Sequence, residues 1–98
     1  MDWKRQPQEK PGDYWFAGKF FVAMEVFEEI NYLEVADIVR DVQEFARQEK
    51  GADHLQVYLN EVTGRKILVI DQVTKAELRN GTRSEEHNFF TILFPEEE

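Results

Sequence analysis

The sequence predicts an α+β domain, a two-layer sandwich in which one long amphipathic helix covers one face of a mostly antiparallel four-stranded sheet. Three observations predict it. Val35, Ile38, Val39, Val42, Phe45 and Ala46 recur at three- and four-residue steps, so one helix carries an apolar stripe that must be buried. Leu55, Val57 and Leu59 alternate with Gln56, Tyr58 and Asn60, then Thr63-Gly64 breaks the run ahead of Lys66-Ile67-Leu68-Val69-Ile70, the pattern of a β-hairpin. Residues 88–94 form another run of strand-forming residues, stopped by Pro95.

Each element follows in order. Residues 1–13 contain Pro7, Pro11 and Gly12 among charges and a lone Trp3, the composition of a disordered N-terminal tail. The single domain then runs over 14–95, leaving 96–98 as an acidic C-terminal end. Lys19 to Phe27 suits a strand by its aromatic and β-branched content and a helix by the spacing of Phe20, Met24 and Phe27. The boundary at Asn31 favours the strand, over 19–28. Asn31 stands three residues before Glu34 as an N-cap, with Ile30 and Val35 placed as a hydrophobic staple, so the long helix starts at about Tyr32. A preceding helix ending at Glu29 would leave almost no connection. Gly51 is the natural stop of the long helix. Thr74 and Glu77 form a capping box for a short helix closed by Asn80-Gly81, and 82–87 is polar loop. The order is β-α-β-β-α-β, which also permits a ferredoxin-like path. The strand at 66–70 is apolar on both faces, as for a strand covered on both sides or covered by a partner on the second.

Composition narrows the function. The chain has 98 residues, no cysteine and a formal charge of −8, from 20 acids and 12 bases. A disulfide framework, thiolate chemistry and Cys-based zinc sites are excluded, and a reducing, cytoplasmic setting is expected. No apolar run approaches the length of a membrane span, so no membrane association is expected. Such a negative field repels phosphate backbones and argues against direct nucleic-acid binding. Most of the excess lies between Glu25 and Glu49, where eight carboxylates face only Arg40 and Arg47. The stretch from Asp53 to Phe94 resembles short prokaryotic and phage proteins in general, without a motif that names a family.

Glu34, Asp37, Asp41 and Glu44 fall on one flank of the long helix as an acidic row. The leading expectation is a small protein-binding or regulatory module that presents this row to a partner with a basic surface; a nucleic-acid mimic is its sharper form. A homo-oligomer is the second class, since the apolar strand at 67–70 and the phenylalanine-rich last strand are able to pair or stack across a two-fold axis. A small enzyme is the third. Asp71 at a strand end, His54 and His87 are the residues to watch for it, although Asp71 is better explained as a turn cap and the histidines as loop-edge residues. Two histidines without cysteine make a poor zinc set, and Asp37 with Asp41 is an ordinary solvated acid pair, so no metal, cofactor or catalytic residue is assigned.

Overall fold

A computed structural model describes the whole chain, Met1 to Glu98. It is an α+β fold with one sheet and one long helix. The elements are β1 (Trp3–Arg5), β2 (Lys19–Val22), α1 (Met24–Glu29), α2 (Tyr32–Glu49), β3 (Leu55–Asn60), β4 (Lys66–Asp71), α3 (Lys75–Asn80) and β5 (Phe89–Leu93), with 3-10 turns at Glu85–His87 and Pro95–Glu97. The sheet has five strands rather than four, in the order β1-β3-β4-β5-β2. Three of its neighbouring pairs are antiparallel and the fourth, β5 with β2, is parallel. That order is not ferredoxin-like: α3 is too short to carry the chain across the sheet, so β5 returns directly beside β4.

α2 is built as its sequence dictates. Asn31 accepts the Glu34 backbone N–H at 2.9 Å and so supplies the N-cap. Val35, Ile38, Val39, Val42 and Ala46 are buried, and Phe45 packs against the same cluster. The helix ends through Lys50, which takes the left-handed conformation (φ 56°), while Gly51 donates to the Ala46 carbonyl at 2.8 Å. At about 1.5 Å per residue this helix is long enough to carry the chain from β2 at one margin over the sheet to β3, which runs in the same sense. The stripe meets the inner face of the sheet, from which Trp3, Tyr58, Ile67, Val69, Phe90 and Ile92 project.

Two segments differ from the sequence expectation. The run at 19–28 is a strand only to Val22; Ala23 then caps α1, whose Val26 is fully buried. Ile30 and Asn31, both extended, suffice to join α1 to α2, so the short connection is no obstacle. Phe20, Met24 and Phe27, the residues whose spacing suggested a helical stripe, are exposed, and the buried pair is Val26 with Ile30. The N-terminus, expected to be disordered, forms β1. Trp3 is 3% exposed and its indole N–H donates to Glu34 at 2.8 Å. Farther along, Gln8 accepts from the Asp53 backbone N–H and from the Gln56 amide, each at 3.0 Å. Composition marks 1–13 as unable to make a core of its own; it does not exclude an edge strand that borrows one.

Gly18 sets where β2 can lie. A side-chain carbon there would collide with the Asn88 carbonyl, the atom that accepts the Lys19 N–H, so only glycine lets β2 enter alongside β5.

Trp3→Ala should lower stability by about 3–5 kcal/mol, the cost of emptying a large aromatic site. Urea denaturation measures it, and a change below about 1 kcal/mol would restore the view of residues 1–13 as a dispensable tail.

Candidate functional site

The acidic row on α2 is where the periodicity places it, and most of it is engaged within the molecule. Glu34 accepts from Trp3 and, at 3.3 Å, from the Asn31 side-chain amide. Asp37 accepts from Arg40 at 3.0 Å. Asp41 accepts from the Tyr58 hydroxyl at 2.6 Å and lies 3.5 Å from the Arg5 guanidinium, which also stacks over the Phe45 ring. The Tyr58 hydroxyl is held in its neutral form, first by burial and then by its bond to Asp41. Glu44 alone has no side-chain partner. The row therefore fastens α2 to β1 and β3, and no group of three or more potential metal ligands is assembled anywhere in the chain.

Asp71 accepts backbone N–H groups of the turn ahead of Thr74, as a turn cap does, and has a second role besides. It is 3% exposed, at the end of β4. One oxygen accepts the Phe16 N–H and the other the Gln72 N–H, each at 2.9 Å. Phe16 is fully buried with a left-handed backbone (φ 53°), and its carbonyl accepts from Gln43 of α2 at 2.9 Å. The carboxylate thus ties the loop before β2 to the sheet and holds a strained backbone that a side chain of this size rarely adopts. Burial pushes its carboxyl above the ordinary aspartate range, against the opposing pull of the backbone N–H groups around it.

Asp71 also lines a cavity of about 330 Å³ with Trp15, Phe16, Val73, Lys75 and Leu78 among others. Neither histidine reaches it. His54 is hydrogen-bonded to the neighbouring Asp53 at 2.9 Å and faces the Tyr14 ring, while His87 pairs with Ser84 at 2.8 Å on an exposed 3-10 turn. None of the five principal cavities joins two of Asp71, His54 and His87. Tyr14, Trp15 and Phe16 tie the N-terminal segment to the rest of the fold: Tyr14 bridges Ala52 and Thr74, Phe16 is in the core, and Lys75 lies over the Trp15 ring at 4.1 Å.

The most exposed apolar surface lies elsewhere. Six of the eight large hydrophobic side chains left exposed fall between residues 20 and 33: Phe20, Phe21, Met24, Phe27, Tyr32 and Leu33. The first two belong to β2, an outer strand of the sheet. Lys19 donates its N–H to Asn88, just ahead of β5, and Ala23 to Ile92 of β5, so strand alternation turns the N–H groups of Phe20 and Val22 outward, where no strand pairs with them. The opposite edge is managed differently: β1 has three residues, two of them Lys4 and Arg5, and Pro7 follows. The signal was present in Lys19-Phe20-Phe21-Val22, a β-prone run with a single charge, but its edge position depends on the strand order.

Asp71→Asn places an amide NH₂ against one of two backbone donors and should cost about 1–3 kcal/mol. Because the folded carboxyl titrates above its unfolded value, its favourable contribution is full below the unfolded pKa and declines as pH rises through the folded one. The deficit of the Asn variant should therefore be larger near pH 4 than near pH 7, as read by urea denaturation at the two values; a deficit that grew toward neutrality would contradict this account.

No protein-family model matches the chain, and neither does any curated protein or solved structure.

Proposed function

We infer that the protein is a self-associating structural module, a homodimer whose two sheets join through antiparallel pairing of β2 with β2 across a two-fold axis. The observation that carries this reading is the unpaired outer edge of β2, where Phe20 and Phe21 are exposed and which has no proline and a single charge, Lys19. Hydrogen bonding limits the register to those that place the outward backbone groups of Phe20 and Val22 opposite one another, and the one with most contacts pairs Phe20 of each copy with Val22 of the other. Phe21 then meets Phe21 on the axis as a pair that is not hydrogen-bonded, and Lys19 stands opposite Ala23. No like charges oppose each other in that register, and each Lys19 comes beside the segment leading into the partner's acidic α1.

The acidic-row reading predicts the opposite behaviour with salt. A module that meets a basic partner through Glu34, Asp37, Asp41 and Glu44 loses affinity as salt screens the attraction, and three of those four carboxylates already have partners of their own. Association of two copies that each carry −8 is strengthened by salt. In a reducing cytoplasm, the setting this reading assumes, a chain without cysteine holds its copies together by contacts alone.

Sedimentation at high micromolar concentration should give a dimer that tightens with added salt. Phe21→Cys introduces the sole cysteine and should cross-link between copies on mild oxidation, whereas Phe21→Lys, which places two ammonium groups on the axis, should sediment as a folded monomer. A monomeric wild type, or a Phe21→Cys variant that dimerises without cross-linking, would remove the reading.

A further inference from the structure

The outer face of the sheet has no covering layer. Strand alternation directs Leu55, Val57 and Leu59 of β3, Leu68 and Ile70 of β4 and Leu93 of β5 away from α2. None of the six belongs to the core cluster or is among the residues packed against it. The buried apolar residues of α1 and α2 lie on the inner side, and α3 buries none. The six leucine, valine and isoleucine side chains lie on neighbouring strands: Leu68 is reduced to 6% exposure and the other five are half-buried.

The charge on this face is unlike that of the rest of the molecule. In a chain of net −8, every ionisable strand residue that alternation places on the outer face is a lysine: Lys4 of β1, Lys19 of β2 and Lys66 of β4. Lys4 has one neighbouring acid, Glu61 at 3.4 Å, with both side chains more than half exposed. Lys4 and Lys66 flank Leu59 at one end of the apolar field, and Lys19 stands at the far edge strand.

The inner face shows what such a combination holds. Its occupant, α2, is an amphipathic helix with an acidic flank, seated by its apolar stripe and gripped at the flank by donors from the sheet: Trp3 to Glu34, Tyr58 and Arg5 to Asp41. The outer face also offers an apolar field with donors at its margin, here all cationic, and has no carboxylate on its strands. The geometry points to a docking surface for an acidic amphipathic helix of a partner protein, which would complete a helix–sheet–helix sandwich. Charge complementarity selects the occupant. Acidic flanks satisfy Lys4, Lys19 and Lys66; a basic helix opposes them, and a second copy stacked face to face brings lysine margins together. An anionic bilayer is wider than the sheet face, so it also meets the carboxylates beyond the lysines, Glu61 beside Lys4 among them, whereas a helix fits between them.

The probe is a synthetic 18-residue helix, the length of α2, with leucines at i, i+3, i+4 and i+7 and glutamates on both flanks; its control replaces each glutamate with lysine. Titration against the intact protein should show binding of the acidic peptide and not of its basic twin, weakening by roughly tenfold between low and high salt. Lys4→Glu combined with Lys66→Glu should reverse the preference, and Val57→Asp should abolish binding of both peptides while leaving sedimentation unchanged. Equal binding of the two peptides, binding of neither, or an affinity indifferent to salt would overturn the proposal. So would stronger retention on phosphatidylserine-containing vesicles than on the acidic peptide, or a dimer that Val57→Asp dissociates. The result is independent of the β2 edge, because a monomeric wild type presents the same outer face and a dimer presents it twice.

Discussion

A five-stranded sheet has two faces, and this chain supplies only one helix long enough to cover either. The burial of the α2 stripe against Tyr58, Ile67, Val69, Phe90 and Ile92 is therefore the contact on which the rest of the structure depends. It commits the inner face, fixes the long return from β2 to β3, and leaves the outer face and the β2 edge to whatever the surroundings provide. Two-layer folds commonly leave one sheet face toward water, but such faces normally alternate to polar residues. Here β3 and β4 present aliphatic side chains on the uncovered side as well.

The acidic flank of α2 shows how a charge row acquires a structural use. A helix that lies across a sheet must place its flanks near the outer strands, and β1 reaches it with an indole N–H and a guanidinium. Trp3 has a polar handle that requires a partner once buried, and Glu34 meets that requirement while its backbone is capped by Asn31. Tyr58 projects from the sheet floor and finds Asp41. These bonds explain why so acidic a helix packs on a sheet at all: part of its charge is turned inward as acceptors. Asp71 follows the same logic on the other side of the core, where a buried carboxylate organises the backbone of the 15–16 loop and so sets the approach to Gly18 and β2.

The outer margins of the sheet are unequal in a way that gives the molecule polarity. The β1 edge is short and charged and has its one large apolar side chain, Trp3, turned inward. The β2 edge is flanked by exposed aromatics on strand and helix alike. The ionisable residues that strand alternation puts on the outer face are three lysines, whereas eight carboxylates and only Arg40 and Arg47 lie between Glu25 and Glu49, so the two sides of this small domain differ in sign as well as in polarity. These asymmetries are what a physical account of its associations has to use.

Local chemistry in the sequence determined a good deal. The start of α2 at Tyr32, the hairpin from Leu55 to Asp71, the Thr74–Glu77 capping box and the last strand before Pro95 each depend on residues within a few positions of one another, so spacing alone specifies them. The acidic row was legible for the same reason, as was the two-faced apolar character of β4. Tertiary structure decided what depends on partners distant in the chain. Three residues of an apparent tail become a strand because Asn60 and its neighbours offer an unfilled edge and Glu34 a half-buried acceptor 31 residues away. The strand at Lys19 gives way to a helix because Val26 and Ile30 find the core and Phe27 does not. Asp71 becomes a loop anchor only because Phe16, 55 residues earlier, is brought against it. Periodicity states that a residue must be buried or bonded; which group buries or bonds it is settled when the long helix crosses the sheet and brings the two ends of the chain together.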